Sequence, residues 1–159
     1  KKKVTTECSA DLTISANIPE RYVPSSQQRM DLYRRIAAIR TDADASDLLD
    51  ELMDRYGEPP KSVYALLDVA MLRAAAAKAG VSDISQRGDK LKLTIADFDP
   101  EAVVSVCSGP KYRQRLILAA GDVPALTLTL RGKAPVLEEA LDLVEDLRLA
   151  REGKPTQVS

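Results

Sequence analysis

The spacing of apolar and polar residues changes several times along the chain, and each change marks an element. Leu12, Ile14, Ala16 and Ile18 alternate with Thr13, Ser15 and Asn17, a period of two that predicts a half-buried strand. Pro19 and Pro24 bracket an expected extended crossing over residues 20–23. Ser25 and Gln28 have capping-box spacing. They open a helix predicted over residues 27–40, with Met30, Tyr33, Ile36 and Ala37 as its inward stripe. The next helix carries Leu48, Leu49, Leu52, Met53 and Tyr56. Asp44 or Ser46 is its expected cap, and Gly57 stops it in a left-handed conformation. Pro59 and Pro60 stand where a third helix begins, and Val63, Leu66, Leu67, Ala70, Met71 and Ala74 carry that helix to Gly80.

After Gly80 the period shortens. Val81 and Ile84, then Leu91, Leu93 and Ile95, predict two strands joined at Gly88-Asp89. Arg87-Gly88-Asp89 spells an adhesion-type tripeptide, but it is read as turn chemistry between two apolar runs. Asp99 caps and Pro100 begins a short helix with Val103, Val104 and Cys107. Leu116 and Leu118, a turn at Gly121-Asp122, and Leu126, Leu128 and Leu130 predict two more strands. Pro135 opens a last helix with Leu137, Leu141, Val144 and Leu147. Helices and hairpins are segregated rather than alternating one by one. The fold class is therefore α+β, with about five helices packed on a small, mostly antiparallel sheet. Residues 1–10 read as a linker or tail, 11–151 as one globular domain, and 152–159 as a frayed end. Leu52, Leu66, Leu67, Met71, Leu93, Leu128 and Leu141 are the expected core.

Composition narrows the chemistry. Aromatic residues make up only 4% and Trp is absent, so the core must be aliphatic. The chain has no histidine, which excludes Ser–His and Cys–His nucleophiles and His-containing zinc sites within it. Cys8 and Cys107 lie far apart, which fits a reducing cytoplasm and neither a disulfide scaffold nor a metal cluster. Gly109-Pro110-Lys111 and Gly132-Lys133 lack the remainder of a phosphate loop, so no nucleotide cofactor is expected. Neither a secretory signal nor a membrane-length apolar run is visible. The first residue is Lys rather than Met, and the chain is expected to be a piece of a larger protein.

A net charge of −1 argues against a broad basic, nucleic-acid-binding surface. It hides a local imbalance. Between Thr41 and Pro60, Asp42, Asp44, Asp47, Asp50, Glu51, Asp54 and Glu58 face only Arg55, which leaves −6, while residues 1–40 carry +4. On the second helix Asp47, Asp50 or Glu51, and Asp54 fall three or four apart and share one face. That face reads either as plain solvated surface or as a docking face for a basic partner. Paired-carboxylate hydrolysis is a third reading, but it needs a cleft. Among Arg34-Arg35 and Lys111, Arg113 and Arg115 only Tyr112 is interleaved, where a nucleic-acid module usually pairs such groups with stacking aromatics, and they read mostly as surface.

Several stretches in order resemble one family. They are Ile18-Pro19-Glu20-Arg21-Tyr22-Val23-Pro24, then Arg29 through Tyr33-Arg34, then Glu51-Leu52-Met53-Asp54-Arg55-Tyr56-Gly57-Glu58-Pro59-Pro60, then Leu66-Leu67 on to Gly80 and Ile84. Together they resemble the C-terminal domain of bacterial transcription–repair coupling factors over roughly Asp11 to Leu149. After Arg87 the match is one of element pattern only. The resemblance implies a non-catalytic autoregulatory domain of an ATP-driven DNA translocase that displaces stalled RNA polymerase and recruits repair through UvrA. The motor itself lies outside this chain. In that family the domain packs on the parent's N-terminal module and masks its UvrA-binding surface. The resemblance places the contact at Glu51, Asp54 and Arg55, which the helix face extends to Asp47 and Asp50. The alternatives are a stand-alone nucleic-acid-binding α+β module and a cryptic enzyme using lysine or carboxylates.

Overall fold

The computed structural model describes residues 7–132 and 134–153. Most of the two expected tails lies outside the described residues. In chain order the elements are β1 (Ser9–Asp11), α1 (Ser26–Ala37), α2 (Asp42–Tyr56), α3 (Lys61–Lys78), β2 (Val81–Arg87), β3 (Lys90–Ile95), α4 (Pro100–Ser108), β4 (Leu116–Ala119), β5 (Ala125–Thr129) and α5 (Val136–Arg151). They fall into two compact units. One is Ile14–Ala74; the other joins the chain up to Thr13 with Ala75 onward.

The Ile14–Ala74 unit is helical and has its own core. Leu32 and Ile36 of α1, Leu48 and Leu52 of α2, and Val63, Leu67 and Ala70 of α3 are buried together with Ile18, Val23 and Ile39. The inward stripe expected on α1 is corrected here. Leu32 and Ile36, four apart, define the buried side, whereas Met30 is 57% exposed and Ala37 is exposed. Tyr33 also lies outside the core, and its hydroxyl accepts the Ile18 N–H at 2.8 Å. On α2, Met53 likewise faces out, at 45% exposure.

The strand expected over Leu12–Ile18 does not form. Burial does alternate there, with even-numbered residues more covered than odd ones. The backbone is not in a ladder, however: Asn17 N–H goes to the Ser62 carbonyl at 3.1 Å and Ile18 N–H to Tyr33. A period of two records which side chains lie inward on extended chain, and pairing is a separate matter. Residues 20–23 form a turn rather than an extended crossing, since the N–H groups of Tyr22 and Val23 both donate to the Pro19 carbonyl.

The second unit holds the sheet, in the order β1-β2-β3-β5-β4. β1 runs parallel to β2, and the remaining pairs are antiparallel. β1 uses Ser9 and Ala10, residues that read as tail in the sequence. Ile84, Leu91, Leu93, Ile95, Leu116, Leu126 and Leu128 form one buried face. α4 and α5 belong to this unit and pack on each other, burying Val103, Val106, Leu143, Val144 and Leu147. The β2–β3 turn falls at Gly88 as expected, with φ +59, and Asp99 caps α4 through Ala102 N–H. Of the expected core, Leu52, Leu67, Leu93 and Leu128 are buried, while Leu66, Met71 and Leu141 are half-buried.

Candidate functional site

α2 starts at Thr41, not at Asp44 or Ser46. The Thr41 hydroxyl accepts the Asp44 N–H at 3.1 Å, and the Asp44 carboxylate accepts the Thr41 N–H in return. The same carboxylate takes the Arg40 N–H at 3.0 Å, and that bond is the main reason Asp44 is held below its usual range. The helix stops at Gly57, whose φ of +84 suits glycine and whose carbonyl accepts the Tyr22 hydroxyl at 2.8 Å.

With Leu48 and Leu52 turned into the core, the helical period sends Asp47, Asp50 and Asp54 outward, and all three are exposed. Among the described residues none of the three is ion-paired. Glu51 lies to one side of them and is engaged. Both Arg35 terminal nitrogens donate to its two oxygens, at 2.6 and 2.9 Å, and Arg55 adds a contact at 3.3 Å. These guanidinium groups, Arg35 first, draw the Glu51 carboxyl down to about 2. Arg55 also stands 5.2 Å over the Tyr56 ring. Tyr56 donates to Gln28 at 2.9 Å and packs 5.7 Å from the Tyr22 ring.

The structure therefore divides the expected site. Glu51 and Arg55 are joined to α1 through Arg35, while Asp47, Asp50 and Asp54 form the open acidic face. Sequence reasoning missed Arg35 as the partner of Glu51. The available signal was the positive balance of residues 1–40 beside the −6 block.

The second unit contains a polar interior that the sequence did not reveal. Asp146 of α5 is only 1% exposed. It accepts Lys111 Nζ at 2.8 Å and the Tyr112 hydroxyl at 2.5 Å. Burial first, and Asp146 second, push the Tyr112 phenol up. Lys111 and Arg115, which read as surface, are instead largely covered and paired with Asp146 and Glu139. The adjoining cavity of about 170 Å³ carries charges that are mostly satisfied internally. Among the described residues no cluster of His, Cys, Asp or Glu could hold a metal ion. No described helix is long and apolar enough to cross a membrane.

Fold and site define an α+β domain whose concentrated chemistry is a charged helical face. The chain belongs to the TRCF domain family, whose model matches residues 12–104 and so takes in the whole helical unit. It is similar to the transcription-repair-coupling factor of Bacillus subtilis (strain 168), at 30% identity over 143 residues. It is similar also to that of Mycobacterium bovis, at 31% over 152 residues. Those alignments cover 87% and 92% of this chain but only 12% of either relative. A crystal structure of the C-terminal domain of a transcription-repair coupling factor has the same fold. Its TM-score is 0.79 at 22% identity, with 94% of this chain and 96% of that one covered.

Proposed function

We propose that this chain is the non-catalytic autoregulatory C-terminal domain of a cytoplasmic transcription-repair coupling translocase. The acidic face of α2 docks on the N-terminal module of the same parent and masks the surface that UvrA binds. Contact with UvrA and RNA polymerase is then indirect, through the parent. The observation that carries this reading is the row of carboxylates Asp47, Asp50 and Asp54, without ion pairs among the described residues, beside the Glu51–Arg55 pair. Like charges three and four apart on a helix repel one another slightly, and cations from a docked surface offset that repulsion. Cutting one partner of a desolvated pair costs about 2–5 kcal/mol. A loss of about 3 kcal/mol shifts an open–closed ratio more than a hundredfold, enough to regulate.

The test is calorimetric titration of the parent's N-terminal module with this chain over a range of salt. Asp50→Lys with Asp54→Lys should abolish binding while the chain stays folded. Unchanged affinity would show that the face is solvated surface only. Nucleic-acid binding has one observation in its favour. Arg87, Lys90 and Lys92 share a side of the β2–β3 hairpin and no carboxylate pairs with them among the described residues. Salt-dependent DNA affinity lost in a Lys90→Glu, Lys92→Glu variant would support that alternative.

A further inference from the structure

α1 and α2 enclose a groove of about 530 Å³. Leu32 and Tyr56 line it, and three arginines, Arg34, Arg35 and Arg55, line it with a single carboxylate, Asp31. Glu51, bonded to Arg35 and Arg55, brings the carboxylates to two. Cations still exceed anions after every ion pair is counted. A guanidinium has five N–H donors. Carboxylates occupy two at Arg35 and one each at Arg34 and Arg55, and the remaining donors of these three have no protein acceptor among the described residues. One wall is fixed in advance, because Tyr56 is tied to Gln28 and lies beneath Arg55.

We propose that this groove receives a carboxylate side chain, an Asp or Glu on the protein surface against which the acidic face of α2 docks. The proposal rests on the docking reading and deepens it. Asp47, Asp50 and Asp54 select cations, and immediately beside them Arg34, Arg35 and Arg55 select an anion. A surface of two signs fixes orientation and penalises partners that present only one. The planar guanidinium fork matches a carboxylate in bidentate geometry. The neighbouring aspartates repel a continuous polyanion, which favours an isolated carboxylate over a nucleic-acid backbone.

The test uses the 159-residue chain and the parent's N-terminal module, titrated at fixed salt, with circular dichroism confirming that each variant is folded. Arg34→Glu is informative because among the described residues Arg34 pairs only with Asp31, at an exposed position, and the change leaves the Arg35–Glu51 fork intact. Arg34→Glu should raise Kd about tenfold or more, as expected for a lost desolvated contact, and Arg34→Lys should raise it less. A single Asp→Lys or Glu→Lys change on the module should restore binding to the Arg34→Glu chain and thereby identify the occupant. Suppose instead that Asp50→Lys with Asp54→Lys abolishes binding while Arg34→Glu changes it by about twofold or less, the size of an exposed pair. The groove proposal then fails and docking stands, as it does if no rescuing position exists. If neither variant has an effect, docking fails and the groove proposal with it. DNA binding that is lost in Arg34→Glu would assign the groove to phosphate and also overturn the proposal.

Discussion

Arg35 donates from both arms of its guanidinium to the two carboxylate oxygens of Glu51, clamping α1 to α2 across sixteen residues of sequence. The pair sets a pH dependence with a definite sign. Glu51 titrates near 4.5 when free and about 2 when folded. A depressed folded value means that its stabilising contribution is complete above about 4.5 and disappears as pH falls through about 2. Glu51→Gln should therefore flatten the acid limb of stability in that window. Urea midpoints at pH 7, 4 and 2.5 would show it, and parallel acid limbs for both proteins would contradict it.

Leu52 and Met53 are neighbours with opposite environments, the first fully buried and the second 45% exposed. Leu52→Ala should destabilise by about 2–5 kcal/mol, and Met53→Ala by about 0.5 kcal/mol or less. Denaturant titration of both variants separates them. Similar losses would mean that the orientation of α2 is wrong.

Asp146 is buried with Lys111 against it. Asp146→Leu alone leaves that ammonium only the exposed Asp142, 3.5 Å away, and takes the acceptor from the Tyr112 hydroxyl. It should cost about 3–5 kcal/mol, whereas Asp146→Leu with Lys111→Met should recover part of the loss. In an ultraviolet pH titration, Tyr112 should ionise last among the five tyrosines of the chain. A tyrosine-normal titration in every ring would rule out the buried pair.

Gly57 and Gly80 both have positive φ, but only Gly80 is crowded. A Cβ there would lie 2.7 Å from the Asp97 carbonyl oxygen, while nothing lies within 4 Å of one at Gly57. Gly57 combines φ +84 with ψ −165, a region essentially confined to glycine, so Gly57→Ala should cost about 1–3 kcal/mol from the backbone conformation alone. Gly80→Ala must add displacement of the Asp97 segment, which Arg151 holds through both its carbonyl and its carboxylate. A larger drop in Tm for Gly80→Ala is the expected result.

Much of this was legible in the sequence because it is local. Pro60, Asp99-Pro100, Gly57 and Gly88 act within a few residues of themselves. The start of α3, the start of α4, the end of α2 and the hairpin fall where they are expected, whereas α1 ends at Ala37 rather than at 40 and α2 is capped by Thr41 rather than Asp44 or Ser46. The acidic face was legible for the same reason, since helical spacing alone places Asp47, Asp50 and Asp54 together. What the sequence hid is non-local. Arg35 finds Glu51 only because α1 packs on α2, and Asp146 reaches Lys111 from 35 residues away. The pairing of β1 with β2 is of the same kind, and it drew the strand reading toward Leu12–Ile18, where alternation is stronger but no neighbouring strand is available.

That β1–β2 pairing has a consequence for synthesis. Ser9 bonds to Asp83, 74 residues later, whereas the buried residues of the helical core all lie between Ile18 and Ala70. Loop closure of that length carries an entropic cost, and chains fold in units as they emerge. The helical unit is complete on the ribosome while β1 is still waiting for its neighbour. The first described strand of this chain is therefore among the last to be placed, and the surface proposed for docking exists before the sheet is built.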